Sequence, residues 1–244
     1  MNRFTSTGIR SSNASLLIFP NPGQSAYLWS MNKNDHRPEL FIAFEGIDGS
    51  GKSTQINLLS EHLSSLSHRV HQTCEPSPGP IGRMIRDIFS GKMEGDHHTI
   101  AGLFVANRLH HLLNKTDGIL TKMSAGNHVL TDRYVFSSYA YQGAHVDLDW
   151  VIAANSESQR ILQPDLHIFL DIPVDTALSR LVKRREQLEI FETRENLEKV
   201  KTMYDLVLDR FRTDQNILIV DGMQSQEDIA ADIWSAVKSM LERK

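Results

Sequence analysis

The sequence predicts an α/β fold: a five-stranded parallel sheet with helices on both faces, a three-layer α/β/α arrangement. Three observations carry this. Strand-length apolar runs alternate with segments whose apolar residues recur at helical spacing. A glycine-rich loop joins the first of those runs to a helix. Two later runs close on aspartate, at Asp132 and Asp171, where open α/β sheets form their ligand crevice.

The elements follow in order. LFIAFE (Leu40–Glu45) is almost continuously apolar and stops at glycine, the profile of a strand buried on both faces. A helix is expected from Lys52, with Ile56, Leu59, Leu63 and Leu66 on its buried stripe. HRVHQTC is a weaker second strand, stopped by the turn-forming EPSPGP. Ile81–Phe89 reads as helical, and a longer helix is expected from about Thr99 to Lys122. HVLTD, LHIFLDI and NILIVDG supply the third, fourth and fifth strands. Ile229, Ile233 and Val237 stripe the last helix. Strands alternating with helices imply right-handed crossovers and hence a parallel sheet.

The chain has 244 residues, which suits one α/β domain, expected over 39–244. Its net charge of −4 gives no global basic field for nucleic acid, so any anion site must be local. Its one cysteine, Cys74, cannot form an internal disulfide, which favours a reducing compartment and a cytoplasmic location. The apolar runs are too short to span a membrane. Residues 1–38 are expected to be a disordered extension. They carry Arg3 and Arg10, many Ser and Asn, and no acid before Asp35. Residues 1–30 could also serve as an organellar transit peptide, which that composition fits more loosely. Met31 would make a natural start before the first strand.

Gly46, Ile47, Asp48, Gly49, Ser50, Gly51, Lys52 and Ser53 spell G-x-x-x-x-G-K-[ST], between a strand and a helix as that motif requires. The fold is therefore of the P-loop NTPase type. Backbone N–H groups of such a loop, and the helix N-terminus behind it, point at phosphate oxygens. Lys52 suits the β- and γ-phosphates of ATP, and the Ser53 hydroxyl suits Mg2+. Thr54 completes the expected ATP-binding set. The motif alone leaves GTPases, motor ATPases and small-molecule kinases open. The first two are disfavoured because no guanine-specific NKxD signature and no second ATPase module are expected.

TDRYVFSSYAYQG (Thr131–Gly143) begins where the third strand ends. Asp132 and Arg133 should therefore share a mouth with the phosphate cradle, where an arginine can fork onto a phosphate. Here the chain resembles the thymidylate kinases. The likeness rests on GIDGSGKST, the EP pair after strand two, DRY, SSYAYQG, PDLHIFLDIP and a short basic lid, and it runs from about Leu40 to the C-terminus. The lid, KRREQLEIFETRENLEKVKTMY, looks most like the branch common in archaea.

The resemblance implies transfer of the γ-phosphoryl of ATP onto dTMP with Mg2+, giving dTDP for dTTP synthesis, by a homodimer packed through the helices near Phe104. It implies that Asp48 holds the sugar 3′-hydroxyl, Phe104 stacks on thymine and Arg108 hydrogen-bonds its O4. It assigns Arg133 to the acceptor phosphate, Asp132 to magnesium or its waters, and Tyr141 to the exclusion of ribose. Ser138 and Gln142 line the same pocket. Glu75 would organise the metal or Arg133, although Cys74 replaces an arginine many relatives carry. The cradle lacks the arginine some relatives place there, so the lid, about 183–194, must supply a cation: Arg184 and Arg185 first, then Lys183 and Arg194. Another nucleoside monophosphate or deoxynucleoside kinase, or a non-catalytic ATP-binding switch, stays open. His97–His98 and His110–His111 are read as structural rather than metal-binding, because adjacent helical residues point in different directions.

Overall fold

The computed structural model describes residues 38–184 and 193–243. The parallel sheet runs β2-β3-β1-β4-β5. Its strands are β1 (Phe41–Glu45), β2 (Val70–Cys74), β3 (His128–Asp132), β4 (Leu166–Asp171) and β5 (Ile217–Asp221). The helices are α1 (Lys52–Ser65), α2 (Pro80–Phe89), α3 (His97–Leu113), α4 (Ile119–Ser124), α5 (Val135–Tyr141), α6 (Leu148–Ile161), α7 (Val174–Arg184), α8 (Arg194–Phe211) and α9 (Gln226–Leu241). The α/β expectation and the five parallel strands are borne out.

Alternation along β1 sets the layers. Leu40, Ile42 and Phe44 join one core cluster with Ile56, Leu59 and Leu63 of α1 and Ile229, Ile233 and Val237 of α9. Phe41 turns the other way, edge-on to Tyr134 at 5.1 Å, and the buried Glu45 points the same way, accepting from Ser137 of α5. The sheet order matters for the site. β1 is central, between β3 and β4, so the loops after β1 and β3 emerge side by side.

Two local expectations fail for identifiable reasons. Leu66 is half exposed rather than on the buried stripe of α1. The helix ends at Ser65, and Ser67 takes φ 68°, so the N–H groups of Leu66 and His68 return to the carbonyl of Leu63. The single helix expected over Thr99–Lys122 is two, α3 and α4. Asn114 stops α3 by accepting the N–H groups of Thr116 and Asp117 on its own side chain. The start lies earlier than expected because Asp96 caps the Thr99 N–H at 2.7 Å. The same turn corrects the GTPase argument. Asn114–Asp117 reads NKTD, so an NKxD string does occur, but in a turn after a helix, and none of its residues lines the cavities described below.

Among the described residues no helix is long and apolar enough to cross a membrane. The lid expected over 183–194 falls mostly outside the described residues, as does the N-terminal extension.

Candidate active site

The loop from Gly46 to Gly51 has the backbone geometry its glycines allow. Gly46 lies at φ 137° and Gly49 at φ 82°. A Cβ at Gly49 would stand 2.7 Å from the Ala177 carbonyl oxygen, so α7 packs against bare backbone there. Lys52, at the start of α1, is buried and donates to the Gly46 and Ile47 carbonyls at 3.1 and 3.2 Å. Burial lowers its pKa, and the nearby Arg133 lowers it further, while Asp132, Asp48 and Glu45 oppose this. Its ammonium lies 3.8 Å from Asp132 Oδ1.

Ser53 donates to Asp132 Oδ2 at 3.0 Å. Asp132 Oδ1 is buried without a hydrogen-bond partner. A hydroxyl and a carboxylate with an unmet oxygen are hard donors of the kind Mg2+ takes, with waters and phosphates filling the remaining positions. No group of three or more His, Cys, Asp or Glu among the described residues could hold a metal by itself, the paired histidines included.

Arg133 follows β3 directly and takes φ 74°, costly for a residue with a Cβ. Its N–H is tied to the Phe44 carbonyl at 2.8 Å, which turns the chain sharply back over the cradle. The guanidinium reaches Asp48 Oδ1 at 2.6 Å, Tyr141 Oη at 3.1 Å, Ser137 Oγ at 3.2 Å and the Gly46 carbonyl at 3.4 Å. It lies 4.6 Å from the centre of the Tyr141 ring. Tyr141 in turn donates to Asp48 Oδ2 at 2.7 Å. Burial works against the Asp48 charge, but Arg133 and Lys52 outweigh it and hold the carboxyl down to about 2.

Two cavities meet at these residues. One, of about 310 Å3, lies over the loop and is lined by Lys52, Ser53 and Asp132. The other, of about 320 Å3, is lined by Phe104, Arg108, Ser138, Tyr141 and Gln142. Asp48, Cys74, Glu75 and Arg133 line both. Phe104 serves two purposes, packing with Ile85, Ile88 and Ile100 and presenting surface to the second cavity. Gln142 Oε1 there is buried without a partner.

Arg108 is almost wholly enclosed. It donates to Glu75 Oε2 through Nε and Nη2 at 2.9 and 2.6 Å, to Ser138 Oγ at 2.9 Å and to the Tyr134 carbonyl at 3.1 Å. It also donates to Asn155 Oδ1. The other oxygen of Glu75 lies 3.3 Å from His111 Nδ1. Glu75 therefore anchors Arg108 and His111 rather than Arg133, and it also lines the cavity over the loop. The Cys74 thiol is exposed at the junction, and burial of part of its surface together with Asp132 raises its pKa.

On the far side of the loop a third cavity, of about 350 Å3, shares Gly49, Gly51 and Thr54 with the first. Arg180 of α7 lines it, donating to the Gly49 and Ser50 carbonyls at 3.4 Å and to that of Gly222 at 3.2 Å. Sequence reasoning missed Arg180 by looking past it to the more basic run that follows. Of the lid candidates, Lys183 lines this third cavity. The side chain of Arg184 and all of Arg185 lie outside the described residues. Arg194 is exposed and paired with Asp175 and Glu198, not placed over the cradle. Asn155, His111, Glu45, Ser137 and Tyr204 were also missed. The one advance signal was a glutamate inside the apolar first strand.

Comparison with known proteins identifies the family. The model of the thymidylate kinase family matches residues 44–233. A probable thymidylate kinase of Pyrococcus horikoshii is 39% identical over 207 residues, 82% of this chain and 97% of that protein. One of Methanococcus aeolicus is 34% identical over 208 residues, covering 84% and 97%. The thymidylate kinase of Desulfotalea psychrophila is 36% identical over 209 residues, covering 85% and 98%. With the match spanning the cradle, the DRY turn and the second cavity, the chain belongs to the thymidylate kinase family.

Proposed function

We propose that the protein transfers the γ-phosphoryl group of ATP to dTMP, giving dTDP and ADP, and that the two cavities meeting at Arg133 hold donor and acceptor end to end. That junction is the observation that carries the reading. Loop amides and Lys52 hold the donor phosphates, and Arg133 exchanges part of its hold on Asp48 for the acceptor phosphate. Ser53 and Asp132 would hold magnesium, partly through water, and the ion would supply positive charge against the donor phosphates. The acceptor oxygen is already nucleophilic, so these side chains act by alignment and by offsetting repulsion rather than by proton abstraction. Arg184 and Arg185 are the proposed lid cations that meet charge developing on the transferred group.

Base selection follows from the second cavity. Phe104 offers a stacking face and Arg108 a guanidinium edge for O4. Gln142 Oε1, an unmet acceptor, suits an N–H at N3, which thymine and uracil carry and cytosine lacks. Asp48 and Tyr141 flank the sugar, Asp48 toward the 3′-hydroxyl and Tyr141 against a 2′-hydroxyl. Ser138 keeps Arg108 in place. A homodimer belongs to the same reading. Met84, Leu113 and Trp150 leave apolar surface exposed on α2, α3 and α6; α2 and α6 each pack against α3, which carries Phe104.

An acceptor panel of dTMP, dUMP, dCMP, dGMP, UMP and thymidine in a coupled ADP assay tests the function. Turnover is expected to be highest with dTMP, low with dCMP and dGMP, and lowest with thymidine, which carries no phosphate for Arg133. Preference for any other acceptor assigns the chain to a different nucleotide kinase. ATP consumption independent of any acceptor supports the switch reading instead.

The third cavity fits the donor base, with Arg180 against its face. Arg180→Ala is expected to raise KM for ATP about tenfold, the scale of one cation–π contact and the loop carbonyls it ties. KM for dTMP should stay within about twofold in the same steady-state assay.

A further inference from the structure

Glu45 is a fully buried carboxylate that the phosphoryl-transfer reading does not use. It sits at the end of β1, one residue before the loop, and on the opposite side it reaches the acceptor machinery. Ser137 donates to its Oε2 at 2.5 Å, and Tyr204 of α8 approaches the same oxygen at 3.3 Å. The Tyr134 N–H donates to Oε1 at 3.2 Å. Ser137 Oγ is also the atom that accepts from Arg133 Nη1, and it lines the acceptor cavity. One hydroxyl thus connects a buried acid, the arginine proposed for the acceptor phosphate, and the space where that phosphate would lie.

We propose that Glu45 is a positioning residue for the acceptor: through Ser137 it orients Arg133, and it takes up a proton when the acceptor phosphate docks on that arginine. This rests on the proposed function and deepens it. The geometry supplies the coupling. In the free protein the Arg133 charge favours the ionised Glu45. A phosphate dianion on Arg133 offsets that charge, so the buried carboxylate is better accommodated neutral. The proton comes from solvent by way of the Ser137 hydroxyl at the cavity wall.

The surroundings leave Glu45 as the group that titrates near neutrality. Burial pushes it up to about 7 against the Ser137 hydrogen bond and the charges of Arg133, Arg108 and Lys52. His167 of β4, with Nδ1 4.0 Å from Oε1, is driven down to about 3 by burial and stays neutral. Tyr204 and Tyr141 are raised by burial and stay phenolic, and Asp48 stays ionised. Acceptor binding should therefore be tighter with Glu45 protonated and should weaken as pH rises through 7 and above. A phosphate monoester is already largely dianionic there, with its second pKa near 6.

The test is calorimetric titration of dTMP into the full-length protein at pH 7.5, in two buffers of different ionisation heat. Net uptake of roughly half a proton is expected, as for a carboxyl moved about one unit upward across that pH. Kd should rise about fourfold between pH 7 and 8.5. Glu45→Gln, neutral at every pH as the protonated acid is, should abolish the uptake and flatten that dependence, leaving KM for dTMP at pH 8.5 no higher than in the unaltered protein. Ser137→Ala should raise KM for dTMP and leave KM for ATP unchanged. Binding of dTMP to the unaltered protein with no uptake, or with proton release, overturns the inference without any variant. Uptake that survives in Glu45→Gln also overturns it. Failure of dTMP to bind the unaltered protein at all overturns the proposed function instead.

Discussion

Arg133→Ala is expected to lower kcat/KM for dTMP by about three orders of magnitude while ATP affinity changes by less than about threefold. The asymmetry follows from what each ligand touches. The donor phosphates are held by loop amides and Lys52, whose contacts to the Gly46 and Ile47 carbonyls do not involve the guanidinium. The acceptor phosphate depends on a forked donor fixed by four oxygen partners, from Asp48, Tyr141, Ser137 and Gly46. Removing it takes away both the positioning charge and the partner that keeps Asp48 ionised, so the Asp48 carboxyl should titrate higher. Arg133→Lys keeps the charge without the fork and should fall between the two. Single-turnover rates with excess dTMP, set beside ATP binding measured without acceptor, decide the matter. Equal loss of both would place Arg133 in the donor site.

The parts of the site that sequence made legible share one property: their function is set by neighbours a few residues away. The cradle is such a case, since its glycines, Lys52 and Ser53 act through backbone and helix start within one loop. Asp132 and Arg133 were legible because they close a strand whose end must face the crevice. The strands were legible for the same local reason, as five- and six-residue apolar runs. What escaped is long-range. The Arg108 clamp joins Glu75, Asn155 and Ser138 across separations of 30 to 47 residues. Glu45 meets Ser137 and Tyr204 across 92 and 159. No periodicity or motif encodes such pairings, because each is created by the order of strands rather than by either partner's surroundings. The helix break at Asn114 is a different failure. Helical spacing of apolar residues continued past it, and a side chain able to imitate a turn won against that spacing.

Glu75→Ala is expected to destabilise the protein by about 3–5 kcal/mol, the cost of leaving one member of a buried ion pair uncompensated. Arg108 and Glu75 are each 1% exposed at the side chain, so each charge is balanced by its partner rather than by solvent. For a domain of this size that corresponds to a fall in Tm of roughly 6–20 °C by thermal denaturation. Glu75→Gln keeps an acceptor oxygen for Arg108 and should cost less. The decisive comparison is a Glu75→Gln, Arg108→Met double variant, which removes both charges. Most of the lost stability should return, because a buried pair adds little over apolar packing of similar volume. Thymine selection should not return, because the guanidinium edge proposed for O4 is gone. A double variant that recovers Tm and still prefers dTMP over dCMP as strongly as the unaltered protein would confine Arg108 to a structural role. One that recovers Tm but loses the preference separates what the pair does for the fold from what Arg108 does for the base.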